Sequence, residues 1–224
     1  MKVIYIPDVV NADGLDVEIG CLCSLSSCEC VRRGVPTFVD VGLVGAKSGV
    51  DFSKYVRLVQ RVSAVVDDVY AVVPDSFCDV KTTIRNWKRW ARHVKRYAKT
   101  VLVLQRFYED VEEYRDVIQE ADLAALPSRY HCDVYCLARP RLCAERISRA
   151  VDVLKGVDVH LMGPPATVLR ALGNVLDDIR SIDTSAYRKP GDRIATRRDD
   201  KTKYLITWLG KWNMSMKTTP LATS

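Results

Sequence analysis

Glutamine and asparagine are scarce in this chain, with three Gln and four Asn among 224 residues. A shortage of these thermolabile amides fits a thermophilic source. No uninterrupted apolar run approaches the roughly 18 residues needed to cross a bilayer. The N-terminal MKVIYIPD reaches Pro7 and Asp8 before a signal-peptide core can form. These absences lead us to expect an intracellular, cytoplasmic protein with no membrane partner. No segment repeats at a period of about 20–50 residues, which excludes solenoids and propellers. His93, His131 and His160 show no metal-ligand spacing and are read as structural.

The composition is that of a globular chain, 48% hydrophobic and 28% charged. Its length suits one well-filled domain near the lower size limit of a (β/α)8 barrel. The net charge of +6 is unevenly placed. Residues 188–224 carry nine Lys/Arg and three Asp, and the remaining residues have 25 charges of each sign. In the tail, Arg193, Arg197, Arg198, Lys201, Lys203 and Lys211 interleave with Tyr204, Trp208 and Trp212. Cations of this kind position phosphates while aromatic faces stack bases, so the tail is a candidate nucleic-acid contact. Residues 81–99 hold eight more Lys/Arg. We read that segment first as a solvated face, organised in a thermophile as an ion-pair network, ahead of contact with nucleic acid.

Short Val- and Ile-rich runs alternate with helix-period segments, the pattern of parallel strands buried on both faces. Strands are expected at Val3–Ile6, Thr37–Val41, Val69–Val73, Val101–Leu104, Val157–Met162 and Ile179–Ile182. Leu123–Leu126 and Val134–Leu137 compete for the fifth position, and Tyr204–Leu209 could supply a last strand. Helices are expected over Phe52–Val65, with Asp51 or Ser53 as N-cap, and over Asp79–Lys99, Glu109–Glu120, Arg141–Leu154 and Pro165–Leu176. The class is α/β, a compact TIM (β/α)8-type barrel, complete or short of a unit, over residues 1–187, with a basic extension over 188–224.

Five of the strands end on a carboxylate or amide: Asp8, Asp40, Asp75, Gln105 and Asp183. An aspartate there often only caps the next helix or forms a turn. Gln105 is a poor cap, and it would offer an acceptor and two donors over the barrel mouth. Repetition at the C-terminal strand ends marks a site, since ligands of βα folds bind at that edge. Converging carboxylates can divide into nucleophile, general acid/base and anchor, a set suited to an oxocarbenium-like transition state. The same oxygens could instead hold Mg²⁺ in a phosphoesterase.

The segments PTFVDVGLVGAKSGVDFSKYV, VVPDSFCD, VLVLQRFYEDVEEYRD, VHLMGPPATVLRAL and SIDTSAYR, spanning about residues 36–188, carry a more specific pattern. In order and spacing they resemble the tRNA-guanine transglycosylase superfamily, especially its compact phage and archaeal relatives, some of which modify DNA. The resemblance implies a TIM barrel in which Asp183 is the nucleophile and Asp40 the general acid/base. Asp75 and Gln105 would hydrogen-bond the heterocycle, beside Met162 and Gly163 of the Leu-Met-Gly segment. The implied reaction exchanges a purine for a deazapurine in nucleic acid, DNA or tRNA, with no cofactor needed for the chemistry. Two positions depart from the family: Asp40 is followed by Val-Gly instead of Ser-Gly, and Gln105 by Arg-Phe instead of Gly. The family's zinc motif is also missing, since no Cys or His follows Asp183. The alternative is a catalytically degenerate barrel that binds nucleic acid as a partner subunit.

Cys21, Cys23, Cys28 and Cys30 fall within ten residues as C-x-C-x4-C-x-C. Four thiolates could hold zinc, although the usual spacing is C-x2-4-C, and buried thiols or disulfides compete with that reading. An intracellular compartment argues for free thiols or a metal unless the host is a hyperthermophile. Cys132, Cys136 and Cys143 are read as core.

Overall fold

The computed structural model describes residues 2–10, 15, 17–42, 51–106, 109, 111–128, 132, 135–184 and 205–209. Eight parallel strands close into a barrel in strict chain order: β1 (Val3–Ile6), β2 (Glu18–Cys23), β3 (Thr37–Val39), β4 (Val69–Val72), β5 (Lys99–Val103), β6 (Leu123–Pro127), β7 (Val159–Met162) and β8 (Ser181–Asp183). β8 pairs with β1 through Ile4 opposite Ile182 and Tyr5 opposite Asp183, which closes the ring. The expected barrel is therefore present and complete.

Among the described residues, the α-helices that connect successive strands are α1 (Phe52–Ser63), α2 (Val80–Val94), α3 (Val111–Ile118), α4 (Pro140–Val153) and α5 (Ala166–Leu172). Their starts follow from local chemistry. The Asp51 carboxylate accepts the N–H groups of Ser53 and Lys54 at 3.0 and 3.1 Å, and that of Asp79 accepts from Thr82 at 2.9 Å, satisfying donors the helix leaves open. Pro140 opens α4, where a missing N–H costs nothing. α2 stops at Val94, earlier than expected, and Lys99 begins β5.

Registered neighbours in the ring alternate large and small. Tyr5 lies opposite Gly20, and His160 sits between Ala125 and Ser181. Tyr5, Phe38 and His160, from β1, β3 and β7, meet in the barrel interior, with Phe38 and His160 stacked at 4.2 Å and Tyr5 5.4 Å from Phe38. Contributions from alternate strands are how such a barrel fills its core in layers. Gly20 is required here: a Cβ on it would stand 2.6 Å from Tyr5 Cε1 and 2.8 Å from the Pro36 carbonyl.

Several expectations are corrected. The Cys-rich segment is not all loop, because Cys21 and Cys23 lie on β2. All eight cysteines are in disulfides, so neither free thiols nor a zinc site describes them. Cys21 pairs with Cys30 and Cys23 with Cys28, leaving no thiolate in the set to bind metal. Residues 24–36, between β2 and β3, contain no helix. The two short cross-links hold that segment against the barrel where a helix would otherwise pack, by restricting the unfolded chain. Leu123–Pro127, not Val134–Leu137, is the strand after β5; residues 136–138 form a turn. Residues 205–209 are helical, and Leu205, Trp208 and Leu209 are buried in the core, so this segment supplies no strand. Arg193, Arg197, Arg198, Lys201, Lys203, Tyr204, Lys211 and Trp212 lie outside the described residues. Among the described residues no helix is long and apolar enough to cross a membrane.

Candidate active site at the C-terminal mouth

Side chains two apart on a strand face the same way. Asp40, Gln105 and Asp183 each lie two residues beyond a residue of the inward set, Phe38, Val103 and Ser181, and so emerge at the C-terminal mouth. Asp75 follows β4 and joins them. The Gln105 side-chain amide donates to Asp75 Oδ2 at 2.8 Å, and its carbonyl accepts the Cys78 N–H at 3.0 Å. Gln105 is 2% exposed, so these bonds fix its orientation. One Gln105 amide hydrogen is not used in these bonds, and the Asp75 carboxylate also accepts from its own backbone N–H. Cys78 holds a left-handed backbone (φ 59°), uncommon for a residue with a Cβ, and is bonded to Cys132 from the loop after β6. The cross-link ties together two rim loops, one of which supplies the N–H that orients Gln105.

Asp183 is held differently. Its Oδ1 accepts the Gly163 N–H at 3.1 Å and lies 3.0 Å from His160 Nε2. His160 Nδ1 is 2.9 Å from the Ser181 hydroxyl. Ser181 and Asp183 thus engage the two ring nitrogens of His160, a chain of three side chains that fixes the orientation of the ring and of the carboxylate. Oδ2 makes no hydrogen bond to any described residue. Gly163 needs its φ of +58° to aim its N–H this way. Met162, half-buried on β7, is in register with Asp183.

The carboxylates act on one another. Burial, then the negative charges of Asp183 and Asp75, push the Asp40 carboxyl up to about 7, against the pull of the Gly42 and Val41 N–H groups. Asp75 is also raised, by burial, with the Gln105 hydrogen bond opposing. Beneath them, the buried Tyr55 hydroxyl lies 3.0 Å from the Val39 carbonyl and 2.7 Å from that of Val72. Its single proton is shared between the strand ends that carry Asp40 and Asp75. Burial and those two carboxylates hold this phenol well above its usual range, so it stays a donor.

The structure thus brings Asp40, Asp75, Gln105, Met162, Gly163 and Asp183 to one mouth. Gly163 and Gln105 serve at least partly as supports, the first for Asp183 and the second for Asp75. His160, read as structural from sequence, and Tyr55, inside the helix expected over Phe52–Val65, are the contributors that sequence reasoning missed. The signal for His160 was Ser181 and Asp183 at inward positions of the next strand, which is visible only once β7 and β8 are known to pair. Of the departures from the family pattern, Val41 is buried in the core and the Arg106 guanidinium lies 3.7 Å from Glu113 of α3. Among the described residues no three His, Cys, Asp or Glu side chains are grouped as metal ligands.

An acid protonated near neutrality beside a pinned carboxylate with one free oxygen can protonate a leaving group while attacking carbon. No protein-family model matches this sequence, and no curated protein matches it.

Proposed function

We propose that this chain is a base-exchanging transglycosylase acting on a purine nucleotide of a nucleic acid. Asp183 Oδ2 attacks the anomeric carbon as the glycosidic C–N bond breaks, and Asp40 passes its proton to the departing purine nitrogen. The sugar is then esterified to Asp183, and Asp40 is ionised. An incoming purine or deazapurine gives its N–H proton to Asp40 and attacks the same carbon, which expels Asp183 and restores both groups. Asp75 and the free amide hydrogen of Gln105 hydrogen-bond the base edge. No metal or organic cofactor takes part in these steps.

The observation that carries the reading is the pinning of Asp183 by His160 and Gly163 at the mouth where burial, and then the Asp183 charge, raise the Asp40 carboxyl to about 7. The order of segments around these residues supports it independently. In the test, labelled guanine or a deazapurine is incubated with DNA or tRNA and incorporation is followed by nucleoside analysis. Asp183→Ala and Asp183→Asn are expected to lose exchange by about 10⁴-fold while melting as the parent does. Full exchange by either variant would sink the proposal. Wild-type binding without exchange would point to the degenerate binding barrel instead.

A further inference from the structure

The second helix presents the expected solvated basic face, and among the described residues no ion-pair network forms on it. Lys81, Arg85, Lys88, Arg92 and Lys95 recur at helical spacing along α2 and its C-cap, and all are exposed. None forms an ion pair with a described residue. α2 contains no acidic residue, and the carboxylate at its start, the N-cap Asp79, accepts the Thr82 N–H and attracts Lys81 and Arg85 without an ion pair to either. Five like charges in one stripe about 20 Å long repel one another and cost stability unless an anion meets them. At the mouth end of the stripe stands Phe77, 55% exposed. The Cys78–Cys132 bond beside it ties its loop to the one that carries Tyr135, also exposed.

We infer that this face of α2 is the docking surface for the phosphate backbone of a nucleic-acid strand. The strand runs up the helix to the mouth, where Phe77 stacks on a base next to the one that enters. Cations spaced along a rigid element position a backbone without reading sequence, and an aromatic face adds sequence-tolerant stacking. This inference rests on the reading of the substrate as a nucleic acid, and it names the surface that would hold it. An anionic lipid surface would use the cations but not a rigid rim aromatic beside a catalytic mouth.

The test is fluorescence anisotropy with a labelled single strand, its duplex and a tRNA transcript over a salt series. The variant Lys81→Gln/Arg85→Gln/Lys88→Gln/Arg92→Gln is expected to weaken binding by at least about 30-fold and to flatten the slope of log K against log salt by about 2–3. Phe77→Ala is expected to weaken binding roughly 5- to 10-fold with the slope unchanged, since stacking releases no counterions. Arg141→Gln/Lys155→Gln, on α4 and the turn after it, should bind as the parent does. Unchanged affinity and slope in the quadruple variant, with its melting temperature intact, would overturn the assignment. So would failure of the parent to bind any of the three probes, or equally tight binding to phosphatidylserine vesicles. Asp183→Ala should keep the full salt slope. Binding that depends on α2 without any exchange counts against the chemistry alone, and exchange at the parent's KM in the quadruple variant counts against the surface alone.

Discussion

The two mouths of this barrel treat the same residue type in opposite ways. At the N-terminal end three aspartates each have a partner. Asp68 meets Lys99 at 2.8 Å, Asp158 meets Arg180 at 2.8 Å, and Asp122 accepts the N–H and hydroxyl of Thr100 at 2.7 and 2.9 Å. Lys99 and Arg180 also flank the Tyr70 ring at 4.8 and 5.4 Å. At the C-terminal end the hydrogen-bond partners of Asp40, Asp75 and Asp183 among the described residues are an amide, an imidazole and backbone N–H groups. Paired charges at one end hold strands in register. At the other end, burial and then the like charges of Asp183 and Asp75 raise the Asp40 carboxyl above the range of a free aspartate, and the cost in stability is the usual signature of a functional edge.

Removing a charge should therefore have opposite consequences at the two ends. Asp40→Asn is expected to cut exchange by at least about 100-fold, because the leaving base loses its proton donor. In the parent the rate should fall as pH rises through about 7 and Asp40 ionises. The folded-state value lies above that of a free carboxyl, so the stability linked to this group is full in acid and is lost as pH rises from about 4 through about 7. Asp40→Asn should consequently melt higher than the parent at pH 8, by an amount on the order of a few kcal/mol, with the gap closing below pH 5. A variant less stable than the parent at pH 8 would contradict this account of the mouth.

A smaller effect is expected at His160, which touches Asp183 but not the reacting carbon. His160→Gln should lower kcat roughly 10- to 100-fold with KM nearly unchanged, because Asp183 loses orientation while the base edge is still recognised. A rise in KM at constant kcat would reassign His160 to binding. The smallest effect belongs to the opposite mouth. Lys99→Met removes an exposed pair and should cost about 0.5 kcal/mol at most, with exchange unaltered. A large loss of activity there would show that the two ends are not independent.

Most of the barrel was legible because seven strands are apolar runs rich in Val, Ile, Leu or Ala that end on a turn or polar residue, a local property. β2 was not. EIGCLC has a glycine where others have a branched side chain and cysteines where others have Val, because Gly20 must admit the Tyr5 ring and the thiols must meet Cys28 and Cys30. Those demands come from neighbours in space. Residues 204–209 erred the other way. YLITWL has strong strand propensity, but β8 already pairs with β1, so the closed sheet offers no edge to receive it, and residues 205–209 bury Leu205, Trp208 and Leu209 as a helix.

The candidate site divides along the same line. Asp40, Asp75, Gln105 and Asp183 could be picked out because a polar residue ending an apolar run is a local contrast. His160 sits mid-strand and reads as core until β7 and β8 are side by side. Likewise, the basic residues of α2 could be counted from the sequence, but whether carboxylates neutralise them depended on which surfaces fold together.

The sequence by itself determined the alternation of strand and helix and the polar residues at the strand ends, since propensity and side-chain period act over a few neighbouring residues. The tertiary structure decided which of those residues share a charge, which thiols share a bond and which cations stand alone. Those properties arise from distances between segments far apart in the chain, and closing the barrel sets them all at once.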